Sequence, residues 1–246
     1  MLGDRHYIGA YWGARKESIG ECTQRAELFF QLLSRCDASF HQWYRSGRVA
    51  RGMPGHLVRT ADRGELEAAL LRGRNRTDLS KSVIEELGFS LSVWNQRPDS
   101  QATRLGITCG VHDTDNVSNV CLLTPPSTGE AAERLLTAPV SARVLECMAL
   151  AWDPDWGTAT SHEASGLISG AENRNADVGW VTYLSRRRGT VPPLPAPVRI
   201  EPVGSLGMLV ILTPERFTAS NPEHIALGRR VRELLDRAGL LRASPS

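Results

Sequence analysis

An α+β fold is what this 246-residue sequence predicts, and three patterns in it carry that prediction. Amphipathic helical runs and short aromatic or β-branched runs come in blocks, not as regular βαβ units, which favours a mixed, mainly antiparallel sheet with helices packed on one side. The order helices-then-strands occurs twice, over about 1–125 and about 126–246, which predicts two similar halves merged into a single domain spanning 1–246. No residue-level repeat accompanies it.

The first strand is expected at 6–12, an aromatic and β-branched run that stops at Gly13. A helix follows, because Cys22, Ala26, Phe29, Leu32, Leu33 and Cys36 recur every three or four residues while Arg25, Glu27 and Arg35 fall on the opposite side. A short second helix is expected over 38–48, carrying Phe40, Trp43 and Tyr44, then a loop over 48–63 with Gly52, Pro54 and Gly55, then helical residues 65–71. Strand candidates 88–94, 106–112 and 117–123 are separated by Arg97-Pro98-Asp99 and Asp113-Thr114-Asp115-Asn116, so they predict an antiparallel meander. Thr124-Pro125-Pro126-Ser127 closes this half.

The second half opens with helices over 129–136 and 140–152, interrupted by Pro139, and continues with strands at 158–162, 178–184, 198–203 and 206–212. The proline-rich run 191–197 reads as a stiff surface loop in preference to a domain linker. Asn221 as N-cap and Pro222 at the first helical position start a last helix with Ile225, Leu227, Val231, Leu234 and Leu235 on its apolar side, and Gly239 ends it.

Composition excludes several classes. With 41% hydrophobic and 23% charged residues the chain is an ordinary globular protein. Its first residues lack an apolar signal region, and no stretch approaches the roughly 18 apolar residues of a membrane span, so a cytoplasmic location is expected. The five cysteines, Cys22, Cys36, Cys109, Cys121 and Cys147, are odd in number, lack a CxxC pair and read as reduced core thiols.

No motif carries catalysis, and neither a cofactor nor a metal is expected. His162-Glu163-Ala164-Ser165-Gly166 begins like a zinc-protease signature, but Gly166 stands where the second ligand belongs. The turn from Asp113 lacks the glycine and glutamate of a calcium loop. Phosphate-binding loops and a nucleophile elbow are missing as well. Arg186-Arg187-Arg188 reads as a solvated hairpin tip, and Arg229, Arg230, Arg232 and Arg237 as the wet side of the last helix. Two other classes remain open: a small hydrolase built on His112, His162 and Glu163, and a nucleic-acid-binding module if the basic flanks form one surface.

Charge is segregated along the chain. Residues 1–75 hold 12 Lys/Arg against 8 Asp/Glu, 99–177 hold 4 against 11, and 178–246 hold 10 against 5. An acidic central third between basic flanks suits a basic partner, since opposite fields steer association. Within it, Trp152-Asp153-Pro154-Asp155-Trp156 combines large, stiff contact area with fixed negative charge, which is what a protein-binding anchor needs. Trp152, Asp153, Asp155 and Trp156 are therefore the expected partner-binding residues, with Glu163, Asp113 and Asp115 as secondary contacts. The competing expectation is a helix-terminating turn whose tryptophans fold back into the core.

Three blocks carry a family resemblance: Tyr11-Trp12-Gly13-Ala14-Arg15 with Phe40-His41-Gln42-Trp43-Tyr44, then Gly179-Trp180-Val181-Thr182-Tyr183-Leu184-Ser185, then the tail from Gly207 through Asn221-Pro222-Glu223-His224 to Gly239-Leu240-Leu241. With them the chain resembles the immunity protein 52 family, antidotes that bacteria carry beside polymorphic toxins. The resemblance implies a non-enzymatic protein that binds and neutralises a cognate toxin of a type VI or similar secretion system. It also implies that the toxin is a restriction-endonuclease-like nuclease, with no membrane contact and no direct nucleic-acid binding by the antidote.

Overall fold

The computed structural model describes residues 5–45, 55–98, 101–113, 119–170 and 176–242. Its frame is a ten-stranded sheet in which every described pairing is antiparallel. The strands are β1 (His6–Trp12), β2 (Trp43–Arg45), β3 (Leu57–Val58), β4 (Phe89–Trp94), β5 (Arg104–Cys109), β6 (Asn119–Thr124), β7 (Trp156–Ser161), β8 (Val181–Ser185), β9 (Arg199–Val203) and β10 (Gly207–Ile211). The helices are α1 (Ile19–Leu33), α2 (Arg63–Arg72), α3 (Gly129–Leu135), α4 (Ala138–Trp152), α5 (His162–Ser169) and α6 (Pro222–Arg237).

The spatial order β3-β2-β4-β5-β6-β1-β7-β8-β10-β9 keeps the strands of the first half on one side of β1 and those of the second half on the other. The two sets of strands meet at one seam, the β1–β7 pairing, where Tyr11 faces Trp156 and His6 faces Ser161. The meander β4-β5-β6 is as expected, and the proline-rich run joins two strands of the same sheet. Both edges are poor templates for further pairing: β3 has two residues, and β9 carries Pro202 with Arg199 and Glu201.

Local chemistry sets the helix ends. Ser18 and Glu21 close a capping box at the start of α1. Asp62, Ser161 and Asn221 accept from backbone N–H groups at the starts of α2, α5 and α6. Pro139 does not interrupt α4 but lies in its first turn, where the missing N–H has no intrahelical partner to lose.

Side chains alternate across the sheet, so β1 sorts the two faces. Ile8, Ala10 and Trp12 face the layer containing α1 and α4. Tyr7 and Tyr11 face the other way, where Tyr7 meets His162 of α5 and Gly228 of α6 lies close against Ile168 of α5. Helices α1, α2 and α4 thus share one face, while α5 and α6 lie on the opposite face of the second half, so helices cover both sides of the sheet and not one side as expected. Helix α4 is buried on nearly all sides, and Trp43, Trp152, Trp180 and Tyr183 are among the largest fully buried side chains. No single described helix is long and apolar enough to cross a membrane.

Two further expectations change. The helix expected over 38–48 is a 3-10 turn, Ala38–Phe40, followed by β2, because Trp43 and Tyr44 pair with β3 and β4 and the Trp43 indole N–H is satisfied by the Phe40 carbonyl at 3.0 Å. The loop after it holds the short strand β3. Helix α5 has no counterpart in the sequence expectations.

Candidate functional site

The end of α4 and the start of β7 meet the ends of β1 and β8 at one rim of the sheet. Antiparallel pairing requires this: β7 begins where β1 and β8 finish, so Trp156 lies opposite both Tyr11 and Leu184. Asp153 takes the left-handed conformation (φ 48°, ψ 58°) that caps α4, a conformation aspartate tolerates better than most residues. The resulting turn brings both aspartates to Arg187. Its Nη1 donates to the Asp153 carboxylate at 2.9 and 2.8 Å, and its Nη2 lies 3.4 Å from Asp155 Oδ1. The other Asp155 oxygen accepts from the Gly13 N–H at 2.9 Å. Burial opposes the charge on Arg187, but the two carboxylates outweigh it and hold the guanidinium above its ordinary pKa.

A second cluster closes the same end of α4. Arg15 donates to the Trp152 carbonyl at 2.8 Å and Arg25 to the Ala151 carbonyl at 3.0 Å, satisfying acceptors that the helix leaves open. Glu17 lies between them, 3.3 Å from Arg15 and 2.6 Å from Arg25. Arg188 donates to the carbonyls of Asp155, Leu240 and Arg242, which ties the chain after α6 to the rim. In these two clusters Glu17, Asp153 and Asp155 thus meet Arg15, Arg25, Arg187 and Arg188, so their carboxylates are compensated by arginines.

The seven expected contact residues separate in space. Asp153, Asp155 and Trp156 share the rim, and Asp113 follows β5 at the same end, where Arg15 N–H bonds the Val111 carbonyl. Asp115 lies outside the described residues. Trp152 is 0% exposed and stacks on Trp12, 5.5 Å between centroids, so it supports the rim from within the core and has no surface for a partner. Glu163 is exposed, but the His162 N–H bonds the Arg5 carbonyl, which places Glu163 at the opposite end of β1. Other acids of the central third are also dispersed: Asp177 is buried against the hydroxyls of Ser165 and Ser169, and Glu146 pairs with Arg143 at 3.3 Å.

Beside the rim, the Tyr11 face of the first half is open near Gly106 among the described residues. Gly106 has nothing within 4 Å of where its Cβ would sit, and Ser92 opposite it is exposed. Tyr11 lies flat over Gly9, where a Cβ would come within 2.6 Å of its hydroxyl, and stacks on half-buried Trp156 at 4.3 Å. A rigid aromatic pair therefore borders both the open sheet and the Asp–Arg cluster.

His112 and His162 lie at opposite ends of β1, so the hydrolase constellation of His112, His162 and Glu163 does not assemble. The cleft of about 750 Å³ beside the 3-10 turn is lined instead by residues such as Ser39, His41, Asn95, Arg97 and Arg134. Among the described residues, no group of three or more His, Cys, Asp or Glu is placed to hold a metal ion.

Sequence reasoning missed Arg15, Arg187 and Arg188. The signal was present for the last two: one motif opens a strand and the other closes a strand, and antiparallel pairing of those strands puts both at one end.

Comparisons with known proteins agree with this architecture. A comparison with curated protein sequences finds no match. Among solved structures the chain is similar to the Pseudomonas aeruginosa T6SS protein PA0821, with a TM-score of 0.55 and 14% identity, covering 96% of this chain and 75% of that one. At that identity the likeness is one of fold. The family model described as immunity protein 52 matches residues 4–244, nearly the whole sequence, and the chain belongs to that family.

Proposed function

We propose that this protein neutralises a cognate bacterial toxin by stoichiometric binding, and that the toxin is a nuclease effector of the restriction-endonuclease-like class. The observation that carries the reading is the family match over residues 4–244. We place the contact surface on the rim and the adjoining open sheet, with Trp156, Asp153 and Asp155 at its centre and Asp113 at its margin. The Tyr11–Trp156 stack offers large contact area with little side-chain freedom left to lose on binding. The aspartates are already oriented by Arg187 and Gly13, so they offer directional pairing at fixed positions. Inhibition is then by steric cover of the toxin, with charge selecting register. A standard interface of about 1,600 Å² is sufficient for nanomolar affinity, roughly −12 kcal/mol.

The test compares two variants against the purified cognate toxin. Trp156→Ala should raise the dissociation constant by about tenfold or more, whereas Glu163→Lys at the far end should leave it unchanged. Circular dichroism confirms that both remain folded. Normal binding by a folded Trp156→Ala, or loss of binding in Glu163→Lys, would move the interface away from the rim.

A further inference from the structure

Cys36 and Cys147 are far apart in sequence, yet their sulfurs lie 3.5 Å apart, where the turn after α1 crosses the middle of α4. We propose that these two thiols form a peroxide-responsive pair, with Cys36 as the attacking sulfur and Cys147 as the resolving one. The assignment is independent of the toxin-binding reading and rests on how differently the five cysteines are placed. Cys22, Cys109 and Cys121 are fully buried, beyond the reach of a solvent oxidant. Cys36 is partly exposed, and Cys147, 3% exposed, lies directly behind it.

The surroundings divide the roles in the same way. The hydrogen bond shared with Cys147 holds the Cys36 thiol below its ordinary pKa despite burial; Arg143 on α4 helps, and Glu146 and Asp37 oppose. The same hydrogen bond, with burial, pushes the Cys147 thiol up, so it keeps its proton until Cys36 has reacted. The Cys36 thiolate attacks one oxygen of hydrogen peroxide, the O–O bond breaks, and protonation releases water and leaves a sulfenic acid. The Cys147 sulfur then displaces the sulfenic hydroxyl, which leaves as a second water with the Cys147 proton, forming the disulfide. Peroxide takes up the two electrons the thiols lose. The sulfurs must close by about 1.5 Å to reach a bond of roughly 2.05 Å.

Peptide mass mapping of peroxide-treated protein tests this. The expected result is a loss of about 2 Da on a Cys36–Cys147 crosslink that dithiothreitol reverses, with thiols titrated after denaturation falling from five to three. Cys147→Ser should instead accumulate a dimedone-reactive sulfenic acid at Cys36, and Cys36→Ser should give neither product. A crosslink mapping to Cys22–Cys109, five thiols surviving treatment, or dimedone labelling of Cys147 in Cys36→Ser would overturn the assignment.

Discussion

Arg187 has partners that its own neighbourhood in the sequence does not suggest. A triple-arginine tip reads as solvent-facing, yet Arg187 holds Asp153 and Asp155 while remaining about half exposed (52%). Because the pair is screened by solvent, Arg187→Ala should cost only about 1 kcal/mol in urea unfolding, and Arg187→Lys should recover part of it, since an ammonium lacks the planar fork that reaches both carboxylates. An unchanged unfolding midpoint in the alanine variant would mean that the cluster contributes nothing. A second residue-scale prediction concerns acid. The Arg134 guanidinium, assisted by the Ser39 N–H and opposed by burial, holds Asp37 at about 2 against an ordinary 3.8. The folded state therefore binds the proton less readily than the unfolded chain. This stabilisation is fully present above about pH 4 and is lost as pH falls toward 2. Arg134→Ala should flatten that part of the stability profile, measured as urea midpoints at about pH 5, 3 and 2; an identical acid limb in the variant would show that the Asp37–Arg134 pair does not contribute to acid sensitivity.

Glycines distinguish the covered face of the sheet from the open one. A Cβ at Gly179, just before β8, would lie 2.3 Å from the Thr158 hydroxyl and 2.6 Å from the Ala159 carbonyl. Gly179→Ala should therefore destabilise the fold by roughly 1–3 kcal/mol. Gly106→Ala in β5 meets nothing within 4 Å and should instead stabilise by about 0.5–1 kcal/mol, as alanine does in a strand interior. Calorimetry that found Gly106→Ala as damaging as Gly179→Ala would show that the open face is covered. Which elements were legible in the sequence follows the same physical logic. Strands β1 and β4 and helices α1 and α6 announce themselves because one-sided burial writes a period of two or 3.6 into the residues, and caps such as Asn221-Pro222 mark their starts, whereas β10 and α4 are legible as apolar runs. Residues 38–45 mislead because Phe40 and Trp43 are spaced for a helix, while pairing with β3 and β4 decides the outcome. Helix α5 escapes notice because its eight residues include Gly166 and two serines, and what secures it is the Ser161 cap, Asp177 and packing against α6. At the candidate site the string from Trp152 to Trp156 was legible as unusual. Its division into a buried Trp152, a stacked Trp156 and two paired aspartates was not, because the partners Trp12, Tyr11 and Arg187 are distant in sequence.

At the scale of the molecule, the acidic third does not gather into one patch among the carboxylates traced above. The acidic third supplies a buried Asp177, aspartates paired at the rim and a Glu163 at the far end of β1. On the proposed reading, binding relies on fit, with charge pairs fixing register. Titrating the purified chain into a fixed amount of its cognate toxin, while following toxin activity, distinguishes stoichiometric neutralisation from any other mode of action. Stoichiometric binding gives a linear loss of activity that ends at one equivalent, with nanomolar affinity or better. Toxin left active beyond one equivalent, or toxin inactivated by a small fraction of an equivalent as a turnover mechanism would do, would contradict it.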